Sequence, residues 1–448
     1  MSLIDSDSCE CARSELELFE IPPTQTSIEE SRFEEFNPQT SLDRNNPIEF
    51  KIITSSDEYL DLFQSYLYLK ARILDGAGNA LPDTRVDGNL DDKSLVYPIN
   101  YFPASLFNRV ECYLGSKPVG SSESLYPYRA YIETTLSASR DNKKTAMESR
   151  MFYPDADPMD VFDEELKATD RNRGAYKRFA TTQFSKPFET ISPIHNSLFQ
   201  QQKLLLSKVP IYLKFHRNNI DFILMAKSLA QPYKIEIDKA ALIVNIKRIA
   251  SHVRIAHEER LLNTNAKYPL RKVDIKFFTR GANRADLSEP NLVTGVLPNR
   301  VIMGMVTTDA FNGHRNKNGF NFQDFGLSSL VLRKNGIALP FDRITYDFDN
   351  NEFVKGYFSL LNACGMWNTE FKNNGIDLDN YKKGYSLFGF NLSPDESLGD
   401  NLNLITEGHL SFDLRLKRGY NESITIICYL EYDSVMEITS NREIIYNE

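Results

Sequence analysis

In the stretch HLSFDLRLK, residues 409–417, every second side chain is apolar: Leu410, Phe412, Leu414 and Leu416 alternate with Ser411, Asp413, Arg415 and Lys417. A period of two puts the two sets on opposite faces of a β-strand, so one face can be buried while the other stays wet. The same alternation marks YLYLKARI, with Leu67, Leu69, Ala71 and Ile73 on one side and Tyr66, Tyr68, Lys70 and Arg72 on the other. It marks VPIYLKFHR, with Ile211, Leu213 and Phe215 inward, and KVDIKFF, with Val273, Ile275 and Phe277 inward. Strands wet on one face belong to antiparallel sandwiches rather than to a parallel sheet covered by helices.

LYPYRAYIETTL, residues 125–136, departs from this pattern with helical spacing, and the departure recurs. Strand RVECYLGSKPV, this helix, a long polar stretch, strand VPIYLKFHR and YKIEIDKAALIVNI follow one another in the first half. The second half has LVLRKNGIAL, the helical NEFVKGYFSLLN, a polar stretch, HLSFDLRLK and SITIICYLEY. Gly115 falls on Gly336 and Tyr131 on Tyr357. Tyr128, Tyr131, Ile132 and Thr135 then match Val354, Tyr357, Phe358 and Leu361, the stripe of a helix with one buried side. Pro127 is tolerated only in a first turn and so marks where the first helix starts. These helices read as covers on a core.

With 448 residues there is room for two large β domains. The expected architecture is mainly β: two tandem eight-stranded antiparallel jelly rolls, at 47–250 and 251–448, each with a short helix between strands. The first carries an insertion at about 137–187, charged as in ASRDNKKTAMESR and DEELKATDRNRGAYKR, which should stand out as a surface loop. Residues 1–46 show no sustained period and read as an extended acidic arm. Phe19, Ile21, Phe33 and Phe36 give this arm apolar anchors suited to docking.

Charge is uneven. Residues 1–45 hold eleven acids against three arginines, a net −8 of the chain's −9. The nearly neutral body lacks the clustered Lys/Arg surface of general nucleic-acid binding, so none is expected. No window approaches eighteen apolar residues, and MSLIDSDSCEC has neither a basic start nor an apolar run, so neither membrane insertion nor conventional secretion is expected. Cys9, Cys11, Cys112, Cys364 and Cys428 are an odd set with no disulfide framework, as in a reducing compartment.

Motifs for chemistry fall short. GSKPVGSS, residues 115–122, lacks the Lys and the strand-to-helix turn of a phosphate loop and reads as a hairpin turn. AHEER, residues 256–260, has no second His at zinc-protease spacing, and CEC offers too few ligands for zinc. DFDNNE, residues 347–352, lacks the glycine-centred calcium pattern, and Asp349 or Asn350 reads as a cap on the second helix. Trp367 reads as packing beneath a loop. No G-x-S-x-G elbow is present. Catalytic residues, metal sites and cofactors are therefore expected to be none.

SELELFEIPPTQTSI, YPYRAYIETTL, AKYPLRKV, TTDAFNG and NGFNF run collinearly from Ser14 to Phe322, and GYSLFGFNLSPD and LNLITEGHLSFDLRL come after them. Together these pieces resemble the major capsid protein of Polinton (Maverick) elements and the related adintoviruses, across nearly the whole chain. The resemblance implies a hexon-like, non-enzymatic structural protein made in the host cell cytoplasm and located in the virion. It implies a homotrimer, a pseudohexagonal capsomer meeting neighbouring capsomers in an icosahedral shell, and a minor capsid (penton) partner. Under it, deletion of residues 1–45 should spare the fold and the trimer but impair shell assembly. The alternative is a two-sandwich carbohydrate-binding or glycan-cleaving protein, which would be monomeric with a cleft of convergent carboxylates and aromatics.

Overall fold

The computed structural model describes residues 5–446 apart from 6, 12, 44–45, 84, 87–88, 121–124, 161–170, 368, 370–371 and 397–400. Its first half contains β1 Ile28–Phe36, β2 Ile48–Ile52, β3 Glu58–Asp75, β4 Phe107–Leu114, β5 Lys117–Pro118, β6 Phe188–Pro193, β7 Ile211–Arg217 and β8 Tyr233–Ile249. They form two four-stranded sheets, β1-β8-β3-β6 and β2-β7-β4-β5. The second half contains β9 Ala266–Arg280, β10 Asp286–Val296, β11 Arg300–Thr307, β12 Leu327–Lys334, β13 Ile337–Thr345, β14 Leu387–Asn391, β15 Glu407–Leu416 and β16 Ile424–Ile438. Its sheets run β9-β16-β11-β14, with Ile444–Tyr446 added beside β16, and β10-β15-β12-β13.

Adding eight to each label of the first pair of sheets gives the second. Within each half the chain passes back and forth between the two sheets, which is the winding of a jelly roll, and all these pairings are antiparallel. The protein is thus a double jelly roll. The hairpins aligned by sequence are both present: β4–β5 turns at Gly115 (φ 61°), and β12–β13 turns at Asn335 and Gly336 (φ 52° and 84°). These left-handed backbone angles favour Gly and Asn. The alternation holds in β7, where Ile211, Leu213 and Phe215 are buried, and in β15, where Leu410, Phe412, Leu414 and Leu416 are buried. It fails at Phe277, which is 52% exposed. β9 stays paired with β16 there, Phe277↔Ile427 and Phe278↔Ile426, but Phe277 faces outward onto Phe311 at 4.9 Å while Phe278 turns to Phe412.

Residues 1–46 are not one extended arm. Ile28–Phe36 is the outer strand of the first roll, paired with β8 from Ile28↔Ile249 to Phe36↔Leu242. An edge strand with one solvated face carries little apolar alternation, and charge pairs supply its side-chain contacts instead. Arg32 reaches Glu58 at 2.6 Å, Glu35 reaches Lys239 at 2.5 Å, and Glu29 and Glu30 reach Arg248 at 3.3 and 3.0 Å.

Four helices shape the seam between the rolls and the surfaces around it: α1 Tyr126–Ser137, α2 Arg173–Thr182, α3 Ser251–Leu261 and α4 Val354–Ala363. α1 and α4 fall at the same point of each roll, after the hairpin, with Pro127 in the first turn of α1. α3 links the rolls. No helix among the described residues is long and apolar enough to cross a membrane.

The insertion at 137–187 does not stand out as a plain surface loop. Met147, Met151, Phe152, Ala175 and Phe179 are buried, and Arg178 pairs with Asp155 at 2.7 Å with both side chains about 1% exposed. Among its described residues, charges face outward or, as at Arg178, Asp155 and Lys143, are buried on polar partners, while Met147, Met151, Phe152 and Phe179 turn inward. The acidic start of DEELKATDRNRGAYKR, up to residue 170, lies outside the described residues.

Candidate assembly surfaces

The seam between the rolls is built by α1. On it, residues three apart lie on one face, so Tyr128 and Tyr131 project together. Tyr131 stacks on Phe320 with centroids 4.1 Å apart and planes 3° apart, and Tyr128 stacks on Phe311 at 5.6 Å. Three of the sequence pieces that carry the resemblance, YPYRAYIETTL, TTDAFNG and NGFNF, therefore meet at one place. α1 is more than a lid on its own roll, because it clamps the second roll to the first.

A buried polar cluster lies beside this aromatic stack. Glu133 accepts from Arg129 at 2.9 Å and Gln200 at 2.6 Å, and lies 2.5 Å from Nδ1 of His195. His195 Nε2 lies 2.7 Å from the Tyr101 hydroxyl. Both partners are satisfied when Nδ1–H donates to Glu133 and Nε2 accepts from Tyr101. Across the seam, the Tyr429 hydroxyl of β16 lies 3.3 Å from Glu133 and 3.0 Å from Glu431, and donates to one of them at a time. Glu431 is held in turn by Arg300 of β11. Burial pushes the Glu133 carboxyl up, but the Arg129 guanidinium and the His195 hydrogen bond outweigh it and leave it at about 2.

A second tie is Lys143. Its ammonium donates to the Thr135 and Asn374 carbonyls, each at 2.5 Å, and burial pulls it down to about 7. Sequence motifs mark neither group. The four-residue spacing of Arg129 and Glu133 hints at a helical pair, whereas His195 and Lys143 carry no local signal.

Among the described residues, three open surfaces bear most on assembly. The first is the arm: Phe19 is 97% and Ile21 89% exposed, so a single chain brings neither to a partner. Phe33, on β1, is 59% exposed, while Phe36 packs against the core. The second is a groove of about 720 Å³ between β1, α3 and the start of β9. The third is the outer side of α4, with Val354 54% and Trp367 49% exposed. Trp367 packs edge-on against Phe358 at 4.7 Å and is not beneath a loop.

The sequence segments with partial chemical motifs have structural roles. β4 turns into β5 at Gly115 within GSKPVGSS, whose Ser121 and Ser122 lie outside the described residues. AHEER forms the exposed part of α3, where His257 lies 3.1 Å from the Tyr59 hydroxyl. In DFDNNE, Asp347 and Asp349 hold Lys417 at 2.6 and 2.9 Å. Asp347 also accepts from the Asn350 backbone amide at 3.1 Å. The cap position of α4 is Phe353, with no side-chain cap, so neither Asp349 nor Asn350 has that role. Burial raises the Cys112 and Cys364 thiols to about 12 and 11. Among the described residues no group of three His, Cys, Asp or Glu could hold a metal ion.

The arrangement defines a class: two jelly rolls in one chain, clamped flank to flank by a helix. Solved structures share the two-roll fold. A chain of the Sputnik virophage superposes with a TM-score of 0.62 at 14% identity, covering 100% of this chain and 94% of the other. The mavirus major capsid protein gives 0.56 at 10% identity over 100% and 97%. The Faustovirus major capsid protein gives 0.54 at 10% over 95% and 93%. The fold is therefore the double jelly roll of virus major capsid proteins, as the sequence resemblance implied. A Caenorhabditis elegans protein, the uncharacterized protein F54H12.2, is 25% identical over 423 residues, 93% of this chain and 97% of that one. No family model matches the chain.

Proposed function

We propose that this protein is a major capsid protein of the Polinton (Maverick) kind, three copies of which close into a pseudohexagonal capsomer that tiles an icosahedral shell. The observation that carries the reading is the repeated strand order joined by an unlike contact: α1 of the first roll packs on the second roll, so the two flanks of the seam differ. A heterologous contact closes into a ring when its rotation divides the circle, and two rolls in each of three copies supply six similar lobes. The counterpart of α1 is α4. It lies flat on β14 of its own roll and leaves Val354 and Trp367 outward, where the first roll of the next copy would seat.

The role is structural rather than enzymatic, its place is the virion, and its partners are itself, neighbouring capsomers and a minor capsid (penton) protein. The near-neutral body fits enclosure of a genome without specific binding to it. The arm, with Phe19 and Ile21 exposed, reaches a neighbouring copy beneath the shell. Light scattering on the purified chain tests the reading: a native mass three times 51.4 kDa is expected, and a monomer at every concentration would contradict it.

A further inference from the structure

The groove between β1, α3 and β9 is apolar along its floor, where Val253, Leu261 and Tyr268 lie, and its charged lining is entirely cationic: Lys203, Arg260 and Lys267. Acids border it but are already paired: Glu437 lies 3.8 Å from Lys267, and Glu258, near the lining Tyr59, holds Arg442. Ser27 and Ile28 form its lip, so the arm leaves the first roll at the groove's edge. In the arm, the segment SELELFEI, Ser14–Ile21, has the opposite character. Glu15, Glu17 and Glu20 are interleaved with Leu16, Leu18, Phe19 and Ile21, whose exposures run from 70% to 97%. Four large apolar side chains within six residues are seldom left in water by a folded protein unless something covers them.

We infer that the groove is the receptor for the acidic-apolar arm segment Ser14–Ile21 of a second copy of this chain. The apolar side chains cover the floor and the glutamates face Lys203, Arg260 and Lys267. The second copy is favoured over the same chain by the intervening sequence. Residues 22–26 begin with Pro22 and Pro23, which hold an extended backbone of about 3 Å per residue. The Gln25 side-chain carbonyl then accepts the Ile28 amide at 2.8 Å and fixes the entry into β1. Extended through residues 22–26 the segment lies about 15 Å from the lip of its own groove, and the two prolines leave only Thr24–Thr26 for the reversal that a return would need.

This rests on the capsid reading only in needing neighbouring copies, and the test separates the two. Two differently tagged full-length chains in a Cys9→Ser, Cys11→Ser background, one with Phe19→Cys and one with Thr264→Cys, are mixed and oxidised. A disulfide between the two tags is expected, and Glu15→Lys, Glu17→Lys and Glu20→Lys together should lower its yield about tenfold, as three lost charge pairs imply. Charge reversal of Lys203, Arg260 and Lys267 in the partner should restore it. A single chain carrying both cysteines that closes only on itself would overturn the inference. So would the absence of any link among chains that form trimers, with the capsid reading left standing. Chains that never associate would overturn both.

Discussion

Glu133 is the residue on which the seam's polar cluster turns. Its folded pKa of about 2 lies below the ordinary carboxylate value, so its contribution to stability is present above about pH 4.5 and is lost as pH falls toward 2. A shift of that size corresponds to roughly 3 kcal/mol, shared among the coupled groups. Glu133→Gln should lower stability at neutral pH by about 3–5 kcal/mol, because Arg129 is left buried without its counter-charge. It should also flatten the acid limb of a denaturant-derived stability profile. An unchanged acid limb would show that the cluster does not hold the seam. Lys143 acts in the opposite sense. A lysine depressed to about 7 takes up its proton more readily unfolded than folded, so its share of stability rises from pH 7 toward 10 and should be missing in Lys143→Met. Tyr131→Ala removes a ring stacked across the seam and should cost about 3–5 kcal/mol in chemical denaturation.

At the scale of elements, the arm divides in two. Deletion of residues 1–26 should move the melting temperature by less than about 2 °C, because its described residues are all exposed and its tie to β1 is the local Gln25 side-chain bond to Ile28. Deletion of 1–45, which the sequence led us to expect would spare the fold, removes β1 and exposes the edge of β8, so a loss of more than about 10 °C, or insolubility, is expected by thermal melt. Equal melts for the two truncations would contradict the pairing of β1 with β8. The sequence shows the strands whose inward faces are apolar, such as β7 and β15, because burial on one side writes itself as a period of two. It does not show β1, whose partners are charges distant in the chain: Arg248 for Glu29 and Glu30, and Lys239 for Glu35. It locates α1 and α4 by their stripes and by Pro127, but not the clamp between rolls. Phe311 and Phe320 lie some 180 residues beyond α1, a proximity that no local pattern encodes. The insertion is illegible for a related reason, since one buried pair such as Arg178 with Asp155 looks in sequence like solvated charge.

At the scale of the molecule, the two rolls share a strand order and differ at their flanks, the pattern that duplication followed by divergence would leave. A ring of three such chains needs one flank already satisfied within the chain, which α1 provides, and one left open, which α4 provides. Val354→Asp with Trp367→Asp should leave the monomer folded and weaken trimer formation at least about tenfold in sedimentation or light scattering, since two charges would enter an apolar contact. Three-fold averaging of particle images from the purified, concentrated protein tests the central claim most directly. Flat tiles with six lobes, alternating in two kinds around a three-fold axis, are expected, and isolated two-lobed particles with no three-fold species would contradict the claim.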